Sequence, residues 1–223
     1  MGRAWCCGGL ETYPICLVPL FFKVDRWRRP GFLTFGILLM IAYSPFLAAG
    51  FHILNGTEAF ARHWIFNAGA YRVFQNGVPL LISPLTDLKI LPEATASFFL
   101  KEDRLAKLMV VILFSVFTFY RAKKIKTADE LPSESVNVLG ALLILSPVVN
   151  GWYVLWILPF ACITRNKPWL LFSFLVFASY SWWYSEDLAF YLRWVEYIVF
   201  FVIFFFWYIQ RKQKVALPNK DSL

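Results

Sequence analysis

The sequence predicts an all-α fold: a polytopic membrane helix bundle. Three observations carry that expectation. Of 223 residues, 59% are hydrophobic and 20% aromatic, and the mean hydropathy is +0.58. A soluble domain of this size cannot hide so much apolar surface. Several apolar runs reach the length of a bilayer span. The basic residues behind the formal charge of +8 gather at the ends of those runs. That is the pattern of positive-inside topology rather than of a nucleic-acid-binding face.

The runs fall at residues 12–22, 31–50, 105–120, 137–149, 151–164, 168–184 and 189–210. Basic clusters separate them at Lys23/Arg26/Arg28/Arg29, Arg121/Lys123/Lys124/Lys126, Arg165/Lys167 and Arg211/Lys212/Lys214. With every cluster on the cytoplasmic side, the first run goes inward and the second outward. Residues 51–104 then form one long outer segment, and 105–120 returns. Between Lys126 and Arg165 the chain must cross an even number of times. This predicts a hairpin with its tip, SPVVNGWY, on the outer side. Ser146, Pro147, Asn150 and Gly151 stand at the tip, and such residues end or turn a helix. Irregular backbone is excluded from lipid, so this bend belongs against protein or at a watery surface. The last two runs flank an acidic turn at Glu186 and Asp187. One orientation satisfies all the clusters, giving about seven membrane segments. They form a single transmembrane domain over residues 1–223 with a cytoplasmic C-terminus.

The outer segment mixes Trp64, Phe66, Tyr71 and Phe74 with Arg62, His63, Asn67, Arg72 and Gln75. Residues 58–74 read as an amphipathic helix along the membrane surface. On such a helix His63 and Asn67, four apart, share a face. Pro79, Pro84 and Pro92 punctuate the stretch that follows, which predicts short interfacial helices.

Two readings of the polar residues stand side by side. His63 and Asn67 are either the wet face of a surface helix or the floor of a pocket that hydrogen-bonds hydroxyls. Arg62 and Arg72 are the candidate phosphate ligands, since a guanidinium binds phosphate through two parallel N–H groups. Asn150 either binds a ligand or caps freed backbone groups. Trp152 and Tyr153, with Trp182, Trp183 and Tyr184, are either an interfacial aromatic belt or a platform for a sugar or isoprenoid. Arg193 and Glu196 lie one turn apart in the last run, where ionisable groups are costly; they either neutralise each other or serve a function.

Other classes find no support. Cys6, Cys7, Cys16 and Cys162 form no CxxC and no Cys/His cluster, so no metal is expected, and no cofactor either. There is no Gly-rich phosphate loop, HExxH or GxSxG. Glu11 and Pro14 interrupt the first apolar stretch, which therefore does not read as a signal peptide. Position 6 is Cys where myristoylation requires Ser or Thr. Asn55-Gly56-Thr57 is a glycosylation sequon so near the membrane that chance occurrence is the better account.

Three segments together resemble the C-terminal half of the bacterial GT-C glycosyltransferases, mannosyltransferase-like membrane proteins that use polyprenol-phosphate sugars. Residues 11–22, ETYPICLVPLFF, followed by KVDRWRR, look like the family's K-x-Y-P-x-x-x-x-P helix and its cytoplasmic loop; Glu11 stands near where a Lys is common. His63-Trp64-Ile65-Phe66-Asn67 is similar to the W-x-F-N signature of an outer loop. Residues 146–160, SPVVNGWYVLWILPF, are similar to S-P-V-x-x-P-W-Y-x-x-W-x-x-P-F, with Gly151 in place of Pro.

The resemblance implies an enzyme of the bacterial plasma membrane that moves a hexose, such as mannose, from a polyprenyl-phosphate donor to a glycan or lipid acceptor on the outer face. It implies sugar or acceptor contacts from His63 and Asn67, a cavity lined by Asn150, Trp152 and Tyr153, and phosphate contacts from Arg62 or Arg72. Inverting transfer needs a carboxylate to take the acceptor proton. In the family that group lies in a first outer loop which these residues do not include. The expectation is therefore a half-enzyme that lacks the family's N-terminal half, or a split partner. Glu58, Asp87, Glu93, Glu186 and Asp187 are outer-side carboxylates without support from the family pattern, so the catalytic residue is unknown. The competing expectation is a non-catalytic membrane subunit that binds lipid-linked sugar or a partner transferase. A small transporter is disfavoured, because the ionisable pair within the runs is confined to one helix.

Overall fold

The computed structural model describes residues 13–24, 30–45, 47, 50 and 64–216. Among these residues the protein is helical, and its single β feature is an isolated bridge between Phe66 and Val148. The chain divides into two compact units at Val148/Val149.

The first unit opens with a 3-10 turn, Tyr13–Leu17, that runs into the short helix α1, Val18–Phe21. Helix α2, Pro30–Tyr43, begins on a proline, whose missing N–H is no loss at a first helical position. Helix α3 is Ala70–Asp87, α4 is Glu93–Leu100, α5 is Arg104–Lys124 and α6 is Leu131–Leu145. The core gathers Ala68, Tyr71, Val78 and Ile82 against Ala96 of α4 and Ala106 and Val110 of α5. At the far end of α5, Arg121 grips Glu134 of α6 with a two-pronged contact, Nη2 lying 2.7 Å from Oε1. Paired N–H donors on a carboxylate fix orientation as well as distance.

In the second unit a 3-10 turn, Gly151–Tyr153, leads into α7, Val154–Ile163. Helix α8, Lys167–Leu175, tightens into 3-10 geometry over Val176–Trp183. Helix α9 spans Glu186–Ala216. Trp169 and Phe172 of α8 pack on Tyr197 and Phe200 of α9, with ring centroids 4.7–5.8 Å apart. Ala189, Glu196, Tyr197 and Phe200 are the buried stripe of α9, so a carboxylate lies on its packed face.

Among the described residues, two helices are long and apolar enough to cross a membrane: α5, with 21 residues, and the Glu186–Gln213 part of α9, with 28. About 20 residues at 1.5 Å each cover the hydrocarbon core. Only 22% of each apolar window is buried inside the protein, so their side chains face mostly outward.

Two expectations are corrected. Residues 64–69 are not helical; the helix begins at Ala70. Asn67 is in the left-handed region at φ +49 and so stands on no helical face, while His63, its expected companion, lies outside the described residues. Backbone turning and pairing over 64–69 override the apolar period that suggested a helix. The stretch after Phe74 is not cut into short helices: α3 runs unbroken through Pro79 and Pro84. Both prolines lie on its exposed side, where the carbonyls they release do not have to be satisfied by the core. The 168–184 run, expected only as one apolar segment, is helical up to Trp183, α over Lys167–Leu175 and 3-10 over Val176–Trp183, which leaves that expectation standing.

Candidate functional site

The break after α6 stands where the sequence put it. Pro147 disfavours helical backbone at the residue before it, and Ser146 is accordingly extended, at φ −66 and ψ 138. Its hydroxyl then organises the bend, accepting from the Val148 N–H at 3.1 Å and donating to the Val148 carbonyl at 2.6 Å. The Pro147 carbonyl, now outside any helix, accepts from the Phe66 N–H at 3.0 Å. Phe66 and Val148 thereby form a parallel bridge. Buried backbone groups must find partners, and each of these segments supplies what the other lacks. Two stretches singled out separately in the sequence, Trp64–Ile65–Phe66–Asn67 and Ser146–Pro147–Val148, are thus neighbours. Their pairing was not foreseen.

Beyond the bridge, Asn67, Ala68 and Gly69 are buried and turn the chain into α3. Asn accepts left-handed backbone more readily than most residues. Arg72 is half-buried; its Nη1 donates to Gln75 Oε1 at 2.8 Å, and Gln75 Nε2 donates to Asp103 Oδ2 at 2.7 Å. This chain ties α3 to the start of α5. Tyr71, fully buried beside it, has its phenol raised above the ordinary value, first by burial and then by the negative charge of Asp103. It therefore stays protonated throughout the neutral range. Asp103 is the polar residue that sequence reasoning missed. The available signal was an Asp immediately before an apolar helix, which reads as a cap and not as a site.

Arg62 and His63 lie outside the described residues, as does Glu58. Asp87, Glu93, Glu186 and Asp187 are exposed. Among the described residues no group of three or more His, Cys, Asp or Glu is placed to hold a metal.

In the second unit, Asn150 is buried and extended. Its side chain does not cap the following turn; its carbonyl accepts from the Tyr153 N–H at 3.0 Å instead. Tyr153 stacks on Trp156 at 4.2 Å and meets Trp152 edge-on at 6.0 Å. Trp152 is exposed, so the group forms an aromatic ledge with one open member. A Cβ added at Gly151 would lie 3.0 Å from the Tyr180 ring, so any side chain there requires the ring to give way by a few tenths of an ångström. On α9 the Arg193 guanidinium lies 5.3 Å from the Phe190 ring centre, and Glu196 is buried.

Taken by itself, the first unit carries the hydrogen-bonded chain Arg72–Gln75–Asp103, and the second, by itself, carries the flat aromatic surface of Trp152, Tyr153 and Trp156. Compared with known proteins, the sequence matches no family model and no curated protein, and the fold matches no solved structure.

Proposed function

We propose that the chain is a multi-pass membrane protein of glycosyltransferase lineage, handling a hexose carried on a polyprenyl phosphate at the outer face of the membrane. The observation that carries the reading is the Phe66–Pro147 hydrogen bond. The two outer segments that resemble the GT-C pattern are far apart in sequence, yet they join through backbone groups, as parts of one working region would.

The membrane reading draws on the ends of the two long helices. Arg121, Lys123 and Lys124 close α5, and Arg211 and Lys212 stand near the end of α9. Lys124 lies 4.4 Å from the Tyr120 ring, Arg211 5.2 Å from Trp207 and Lys212 5.0 Å from Tyr208. Aromatic rings with cations above them suit the headgroup level of a bilayer. Both helices then end on the cytoplasmic side. The chain between them crosses an odd number of times, as a broken hairpin plus one further segment would provide. About seven segments in all satisfy the basic clusters.

In this reading Asn67, with His63 and Arg62, serves the polar part of a ligand in the first unit. In the second unit, taken by itself, Trp152, Tyr153 and Trp156 offer a surface on which a sugar face or isoprenoid can stack, and Asn150 precedes that turn. The test is transfer of radiolabelled mannose from polyprenyl-phosphate mannose to a mannoside acceptor. It uses membranes that express the chain, with the Phe66→Pro variant as control. Transfer that disappears in the variant supports the reading. Tight binding of the donor without transfer favours the alternative, a binding subunit for a partner transferase. Neither binding nor transfer overturns both.

A further inference from the structure

Three features at the junction of α3 and α5 exceed what a clip between two helices needs. Asp103 immediately precedes α5, yet it makes no side-chain cap there and sits in left-handed backbone at φ +57. An Asp in this place normally adopts extended backbone and caps its own helix. Here the cap is forgone, and the carboxylate is held by Gln75 of the other helix. The second feature is Tyr71, whose wholly buried hydroxyl has no hydrogen-bond partner among the described residues. The third is Arg72 Nε, likewise buried and without a partner there. Buried donors are almost always satisfied in native proteins, so two orphans beside a carboxylate call for an explanation.

Gln75 supplies one. Its amide accepts from Arg72 and donates to Asp103 at the same time. A ligand hydroxyl also accepts and donates at once. We infer that Tyr71 Oη, the Arg72 guanidinium and the Asp103 carboxylate form a subsite for the adjacent hydroxyls of a sugar ring, and that the Gln75 amide stands in for those hydroxyls when no ligand is bound. Gln75, Arg72 and Asp103 are all partly exposed, so the amide can swing out and release Arg72 Nη1 and Asp103 Oδ2 to the ligand. Asp103 then accepts a hydroxyl proton, while Tyr71 and Arg72 donate to hydroxyl oxygen. A phosphodiester has no proton to give Asp103, and any phosphate dianion would be repelled by its charge. This subsite therefore assigns Arg72 to hydroxyls rather than to the phosphate role expected for it. The choice of a sugar among polyols rests on the glycosyl-transfer reading; the subsite itself rests on geometry.

The test uses the full chain in lipid nanodiscs and saturation-transfer NMR with methyl α-mannoside, myo-inositol and inorganic phosphate as probes. Tyr71→Phe removes only a hydroxyl that has no internal partner, and Asn tolerates the left-handed backbone in Asp103→Asn. Both variants should melt like the parent. Each is expected to weaken mannoside binding about tenfold or more. Gln75→Ala, which removes the stand-in, should strengthen it, whereas loss of a mere clip would not. Well-folded variants that all bind like the parent overturn the subsite, and so does a site that takes phosphate and no polyol. Inositol binding with the same dependence on Tyr71 and Asp103, but no mannoside binding, keeps the subsite and sinks the sugar reading. Mannosyl transfer indifferent to all three substitutions does the reverse.

Discussion

Residues 79–84 and 146–150 both set prolines in apolar sequence, and they end differently. Helix α3 runs through Pro79 and Pro84, whereas α6 stops before Pro147. Each proline removes one N–H and releases the carbonyl four residues back. The difference lies in what else the backbone can bond to. Pro79 and Pro84 are exposed, so the carbonyls they release can turn to solvent. At Pro147 two competitors wait: the Ser146 hydroxyl, which grips Val148, and the Phe66 N–H, which takes the Pro147 carbonyl. A proline ends a helix most firmly where the released chain finds other partners.

The sharpest way to break this comparison is Phe66→Pro, which removes the donor to Pro147 and leaves that carbonyl without it. A loss of about 3 kcal/mol or more is expected. Thermal melting followed by circular dichroism in mild detergent measures it; a shift near zero would mean the bridge is incidental. The next effect has the opposite sign. Replacing Pro79 and Pro84 together with Ala restores two helical N–H groups, and a gain of roughly 1–2 kcal/mol should raise the melting temperature. Destabilisation would show that a kink at these prolines is needed for packing. Ser146→Ala removes the grip on Val148 and should cost about 1 kcal/mol. Hydrogen exchange at the Val148 amide should speed up in step, and unchanged exchange would assign the bend to Pro147 alone. The smallest effect is expected from Pro147→Ala. Ser146 and Phe66 still hold the bend, so a change under about 1 kcal/mol is predicted. Growth in helical signal would show instead that α6 had extended through the site.

The helices themselves were legible. Runs of bilayer length with basic ends marked α5 and α9, because an apolar stretch of that size has few other folds open to it. The break at Ser146–Asn150 was legible from proline chemistry. The start of α3 was not. Trp64, Phe66, Tyr71 and Phe74 suggested a helix from residue 58, but Phe66 bonds to a segment some eighty residues away, and Asn67 turns the chain. Asn150, Trp152 and Tyr153 drew attention by their own types, whereas Asp103 looked like a helix cap and its partner is Gln75 of another helix.

By itself, the sequence determined the helical class, the two long apolar helices and the break before Pro147. All of these follow from propensity, hydropathy and the limits proline places on neighbouring backbone. Only the tertiary structure decided that Phe66 pairs with Val148, that α3 survives two prolines, and that Arg72, Gln75 and Asp103 share one hydrogen-bonded chain. The reason is that a backbone or polar side-chain group has several acceptable partners in the unfolded chain. Which one it takes depends on which segments packing brings within about 3 Å of it.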